Sequence, residues 1–209
     1  MSSCAAAPSD QPCEDVLTAA RVVNLARDAS SDDFRGAMRH LVGAVSVVTV
    51  GRDDDITGMT VTSVSSLSLE PPSLIVGVNR ASSTWPLLQR YGHFGVNILN
   101  ANQLEIAENF SGKGGLKGAE RFAGAQWTSR SPGAPLLAGA LAAIDCEVEY
   151  IAERHCHAIV IGRVRDLKLS ERSSALAYWH GRYVAMDQDE DIALLAQASF
   201  PIPRLRRKA

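Results

Sequence analysis

The sequence predicts a mainly β fold, an antiparallel barrel with a few peripheral helices. Strand-length segments, six or seven of them, follow one another through short connections. The few helical segments do not alternate with them in the regular order that a parallel doubly wound sheet needs. No internal repeat breaks the chain into stacked units.

Residues 1–32 mix Ala, Ser, Pro and acids and read as an N-terminal extension, partly disordered or one short helix, with helical spacing from Val16 to Ala29. Residues 33–187 carry the domain and 188–209 a C-terminal tail. Asp32 or Asp33 is placed to cap a helix over Phe34–Leu41, with Phe34, Met38 and Leu41 on one stripe and Gly43 ending it. Val-rich Ala44–Gly51, a turn at Asp53–Asp55 and extended Thr57–Leu69 read as a hairpin. Pro71 and Pro72 then break the chain before a strand at Leu74–Val78.

Ser82–Gln89 reads as a short helix capped by Ser82 or Ser83, with Pro86 tolerated in its first turn. A strand at His93–Leu99, a helix at Ala101–Phe110 and a Gly-rich loop at Ser111–Gly118 follow. The last third holds two long alternating strands, Leu141–Ala152 and His157–Leu167, and a shorter one at Tyr178–Met186. Trp85, Trp127 and Trp179 read as packing anchors, and Cys146 and Cys156 as small buried or half-buried residues.

Composition excludes several classes. The 209 residues are 46% hydrophobic and 21% charged with formal net charge -2, so no broad positive field is available for nucleic acid, and the basic run Arg204–Lys208 reads as a solvated end. No apolar run approaches the ~20 residues that span a bilayer. Asp10, Glu14 and Asp15 stand where an export signal carries a basic start and an apolar core. Cys4, Cys13, Cys146 and Cys156 lack CxxC spacing, which argues against a disulfide framework or zinc cage. The reading is a cytoplasmic protein with reduced thiols.

Two segments carry chemistry. In an extended Gly58–Leu69, Thr60, Thr62, Val64, Ser66 and Ser68 share one face, and Met59, Val61, Ser63, Ser65 and Leu67 the other. A face of hydroxyls suits an uncharged polar ring system that needs small donors and close backbone, and it equally suits a strand facing solvent. Asn79-Arg80-Ala81-Ser82-Ser83-Thr84, at a strand end leading into a helix, combines backbone N–H groups, hydroxyls and one cation in the manner of a phosphate site, or is simply a helix cap.

From about Phe34 to Met186 the chain resembles the flavin reductases of two-component monooxygenase systems, the FMN-binding split-barrel family. The resemblance rests on Gly58–Ser63 continuing through Ser66–Pro72, on His93-Phe94-Gly95-Val96-Asn97, on Arg121-Phe122 with Trp127, on Gly133–Leu137 and on Asp145–Val148. It implies a Greek-key split barrel that forms a homodimer and holds FMN or FAD near the dimer interface. NADH or NADPH is then the hydride donor, and a flavin-dependent monooxygenase the partner that uses the reduced flavin.

Carried onto this sequence, the resemblance sets Thr60, Val61, Thr62 and Ser63 along the flavin ring, with Ser66 and Ser68 extending the polar wall. Asn79, Arg80, Ser82, Ser83 and Thr84 form the phosphate segment, and Phe94 and Asn97 belong to a strand lining the pocket. Tyr183, with Trp179, stands where the C-terminal strand approaches the site. His157 takes the place of the family histidine beside the nicotinamide, followed at the family spacing by Gly162, while His155 and Cys156 replace the family's Gly-Asp.

An H-x-H metal pair, His155 with His157, is a weaker reading without a third ligand, and no metal is assigned. The chemistry then belongs to the cofactors, with the nicotinamide carbon about 3–3.5 Å from flavin N5 and backbone N–H groups of Thr60–Ser63 facing the growing negative charge. The alternatives are a flavin-bound reductase of another acceptor, a corrinoid or metal complex, and a non-catalytic flavin-binding protein.

Overall fold

The structure is a computed structural model describing residues 28–129, 133–171 and 174–187, so the expectations for residues 1–27 and for the tail 188–209 lie outside the described residues. Helix α1 (Ser31–Met38) begins earlier than the sequence predicts. Ser30, not Asp32 or Asp33, is its cap, with Oγ accepting from Asp33 N at 3.1 Å. Its stripe does not pack inward, because Phe34, Met38 and Leu41 are 62%, 45% and 65% exposed.

Strands β1 (Gly43–Ala44), β2 (Ser46–Arg52), β3 (Asp55–Val61), β4 (Val64–Leu69) and β5 (Pro72–Asn79) follow. Helix α2 (Thr84–Tyr91) ends at Gly92, whose φ of 66° is the left-handed stop. After β6 (His93–Ile98), a 3-10 turn at Ala101–Gln103 leads into α3 (Leu104–Phe110). A 3-10 segment at Gly118–Phe122, then β7 (Trp127–Thr128) and β8 (Leu136–Leu137), precede the long hairpin β9 (Ala142–Arg154) and β10 (His157–Leu169). The predicted single strand Tyr178–Met186 is instead a hairpin, β11 (Ala175–Trp179) and β12 (Arg182–Met186), turning at His180-Gly181.

Seven strands form one antiparallel sheet in the order β3-β2-β6-β9-β10-β5-β4. Its edge strands, β3 and β4, are joined by Thr62-Ser63 alone. Laid flat, the two edges stand roughly 29 Å apart at about 4.8 Å per strand. Yet Val61 and Val64 are separated by a span of chain that reaches about 10 Å. The sheet therefore curls until its edges meet. Among the described residues no ladder joins β3 to β4, so the barrel is split. The continuous strand predicted over Thr57–Leu69 is thereby corrected to two strands on opposite edges.

The sheet buries apolar side chains on both faces. Val48, Val50, Val76, Phe94, Val96 and Val160 fill the interior, which Trp85 and Leu88 of α2 help to close. Val45, Val47, Phe110, Phe122, Leu136 and Leu176 form a second layer outside β2 and β6. Val-rich β2 is buried from Ser46 to Gly51, as a strand sandwiched between two apolar layers must be. Trp85 and Trp127 pack against these clusters. Trp179 is no anchor, at 44% exposed, and Cys156 is exposed where Cys146 is buried.

Two buried details fix this arrangement. Asn97 is 0% exposed; its Nδ2 donates to Val47 O at 3.1 Å and its Oδ1 accepts from Leu137 N at 2.7 Å, clasping β8 to the sheet. Asn97→Ala leaves the buried Leu137 N without its acceptor and removes the amide bond to Val47 O, and is expected to cost about 1–3 kcal/mol in denaturant unfolding. At Gly162 an added Cβ lies 2.3 Å from Phe94 Cζ and 3.1 Å from Cys146 Cβ. Gly162→Ala is accordingly expected to overpack the barrel by about 1–3 kcal/mol, read as a Tm lowered by about 2–10 °C.

Candidate functional site

The end of β3 builds one wall of a cavity. Met59 and Val61 pack against the barrel interior, which turns Thr60 to the other face, where its Oγ1 donates to Ala107 O of α3 at 2.6 Å. Past the end of the strand, Ser63 Oγ donates to Gly77 O at 3.0 Å and ties the link to β5. Thr60, Val61 and Thr62 then line a cavity of about 200 Å³ with Tyr183 of β12, Tyr178 of β11, Val45, Ser111 and Lys113. Four of the sequence-predicted residues meet there. Ser111 and Lys113 were legible only as part of a Gly-rich loop, which gives composition without direction.

Ser66 and Ser68 do not line this cavity. They sit on β4, beyond the break at Thr62-Ser63, and Ser68 Oγ is engaged with the backbone of Glu70. The single hydroxyl wall is corrected on that account. Burial pushes the Tyr183 phenol up, with Tyr178 and Glu108 adding to the effect, so it stays a neutral donor at physiological pH. Its ring meets Tyr178 edge-on at 5.2 Å. Ser111, Lys113 and Tyr183 also line a neighbouring cavity of about 330 Å³ with Glu108, Asn109 and Gly114.

The Asn79–Thr84 segment lies at the end of β5, where Asn79 pairs with His157, the first residue of β10. Asn79 Oδ1 accepts from Ala81 N at 2.9 Å and its carbonyl accepts from Ser82 Oγ at 2.7 Å, a self-contained turn. Arg80 N donates to Cys156 O at 3.0 Å, and its guanidinium reaches His155 O at 3.1 Å and Glu153 at 2.6 Å. Ser83 Oγ lies 3.1 Å from Thr57 Oγ1, joining the turn to β3. Arg80, Ser82 and Ser83 thus share one turn beside β3.

Three of the predicted contact residues are buried. Thr84 is 0% exposed, and its hydroxyl has no hydrogen-bond partner among the described residues. Phe94 and Asn97 are also 0% exposed, one inside the barrel and the other spent on Val47 and Leu137. Ser83 has helical φ and ψ and makes no side-chain cap bond, so the cap reading of that hydroxyl also falls.

His157 is exposed, with Nδ1 3.1 Å from Cys156 Sγ. His155 lies in the β9–β10 turn with φ 51°, so the two imidazoles do not share a strand face. Among the described residues no group of three His, Cys, Asp or Glu side chains is placed to hold a metal ion. None of the described helices is long and apolar enough to cross a membrane.

Comparison with known proteins agrees with this architecture. The flavin reductase like domain matches residues 38–187. Over 152 residues the chain is 36% identical to the FMN reductase (NADH) RutF of Stutzerimonas stutzeri A1501, covering 73% of this chain and 86% of that protein. It is 30% identical over 159 residues to HsaB of Rhodococcus jostii RHA1, the reductase subunit of a flavin-dependent monooxygenase, covering 76% of this chain and 80% of that protein. The solved NADH:FAD oxidoreductase SgcE6 of Streptomyces globisporus C-1027, in complex with NAD and FAD fragments, matches with a TM-score of 0.68 at 28% identity, over 76% of this chain and 93% of that one. With a domain match across most of its length on a split antiparallel barrel, the chain belongs to the flavin reductase-like domain family.

Proposed function

We propose that this chain is an NAD(P)H:flavin oxidoreductase that reduces FMN or FAD and supplies it to a partner flavin-dependent monooxygenase. The observation that carries this reading is the cavity where Thr60, Val61, Thr62 and Tyr183 converge. Its donors are small hydroxyls, one neutral phenol and the Lys113 ammonium, a set that fits the ring carbonyls and acidic ring nitrogen of a flavin better than a metal or a sugar. The RutF relative is named for FMN and NADH, and the SgcE6 neighbour for NADH and FAD, which supports both nucleotides as partners of the site.

When bound, the flavin supplies the redox chemistry, accepting a hydride from the nicotinamide. The chain's own residues bind and orient. Thr62 and Tyr183 would donate hydrogen bonds to ring oxygens, and Lys113 would offset negative charge at the cavity. Arg80, Ser82 and Ser83 would hold the flavin phosphate, with the Arg80 guanidinium paired to Glu153 beside it. His157 positions the nicotinamide from the exposed start of β10.

A cavity of about 200 Å³ is small for a cofactor, since ligand sites usually enclose about 300–1,000 Å³. Beside His157, Ile159 is 49% and Tyr150 60% exposed on the outer face of the β9–β10 hairpin. A second copy laid on that apolar face covers it and supplies the missing wall, so the working unit is a homodimer.

NADH oxidation followed with and without FMN, FAD or riboflavin tests the activity. Turnover that needs added or bound flavin is the expected result, and bound flavin with no NAD(P)H oxidation refutes catalysis. His157→Ala is expected to lower kcat/KM for NADH by about ten- to a hundredfold, about 1.4–2.7 kcal/mol, while leaving flavin affinity intact. Loss of flavin binding, or parental kinetics, removes His157 from the nicotinamide site.

A further inference from the structure

Arg121 and Phe122 stand side by side in the 3-10 segment Gly118–Phe122 and serve different tasks. Phe122 is buried in the outer apolar layer, where its ring meets Phe110 of α3 at 4.9 Å and the Trp127 indole at 4.8 Å. Its carbonyl accepts from Trp127 Nε1 at 3.0 Å, which fixes the segment in place. From that anchor the half-buried Arg121 donates through Nη1 to Gly58 O of β3 at 2.5 Å and through Nε to Leu116 O at 2.9 Å. One guanidinium joins a strand to a loop.

Both ends of that bridge bear on the cavity at Tyr183. Gly58 lies two residues before Thr60, and an added Cβ there lies 2.6 Å from Val48 O and 2.7 Å from Phe110 Cε1, so this stretch of β3 is tightly seated. Leu116 lies near the far end of the loop whose first residues, Ser111 and Lys113, line the cavity. Gly112 and Gly115 take φ of 81° and 74° on either side of Lys113, so the local sequence sets no direction for its side chain. Lys113 N donates to Ser111 Oγ within the loop, and among the described residues no hydrogen bond runs from 112–116 directly to the sheet. Arg121 makes the link.

We infer that Arg121 is a positioning residue of the reductase, whose bridge from Gly58 O to Leu116 O holds Lys113 at the cavity before flavin arrives. The inference rests on the flavin-site reading and adds to it the residue that presets the cation. A guanidinium suits the task because its planar fork offers N–H groups in two directions at fixed geometry, whereas an ammonium is a single point on a flexible stem. With the bridge in place Lys113 is ordered in advance. Without it, flavin binding must order that side chain, which lowers affinity by about threefold to tenfold. The loss falls mainly on reduced flavin, the more negative form, because Lys113 acts through its charge.

The test compares the full-length parent with Arg121→Met, Lys113→Met, the double variant and the conservative Arg121→Lys. Affinities for oxidised and for reduced FMN are measured by anaerobic titration, and the loop is probed by the rate at which a lysine-specific protease cuts after Lys113. Arg121→Met is expected to weaken reduced FMN by about threefold to tenfold, oxidised FMN less, and to be cut faster than the parent. The double variant is expected to bind no more weakly than Lys113→Met alone, since both changes remove the same contact. Arg121→Lys falls between parent and Arg121→Met. Additive losses in the double variant, parental affinity in Arg121→Met or parental cleavage overturns the inference. Should Arg121→Met fail to fold, Arg121→Lys decides: faster cleavage with weaker reduced FMN supports the bridge, and parental values overturn it. If the parent binds no flavin while Arg121→Met is still cut faster, the flavin-site reading fails and the bridge stands.

Discussion

Two residues, Thr62 and Ser63, hold the first and last strands of the seven-stranded sheet together, and most of the architecture follows from that tether. It curls the sheet, creates an interior for Val48, Val76 and Phe94, and leaves an unpaired seam where two edges meet without a ladder. A seam of this kind presents backbone N–H and C=O groups that no strand has claimed. Thr60–Thr62, at the β3 side of this seam, line the cavity at Tyr183, and Ser83 meets the start of the same strand at Thr57.

Rigidity comes from burial on two sides of the sheet. Most core positions of β2, β6 and β9 touch either the interior cluster or the outer layer, so strand positions are fixed by packing rather than by surface charge. The ion pairs are half-exposed and contribute about 0–1 kcal/mol each. Buried Asn97 supplies direction where apolar contact cannot, since its amide accepts only one register of β8 against the sheet. The Cys146 thiol, pushed up to about 12 by burial, stays protonated and acts as a small apolar filler.

Much of this was legible in the chain. Alternation located the long strands to within a few residues, and the hairpin at Asp53–Asp55 followed from turn chemistry, with Asp53 taking φ 51°. Periodicity misses where a strand changes partners: Thr57–Leu69 reads as one extended run because both halves are extended, and only the pairing partners separate them. The burial of Phe94 and Asn97 was hidden too, since a place on β6 does not say that both faces of that strand are covered. Ser111 and Lys113 were hidden for another reason. A glycine-rich loop carries no local code for where its side chains end up.

The ion pair between Arg80 and Glu153 reaches over β10, from the end of β5 to β9, and the same guanidinium takes the His155 carbonyl in the β9–β10 turn. Both partners are about two-fifths exposed, so the pair adds about 0–1 kcal/mol and water can stand in for either partner. What the side chain supplies is alignment rather than strength: one residue gathers the ends of three neighbouring strands.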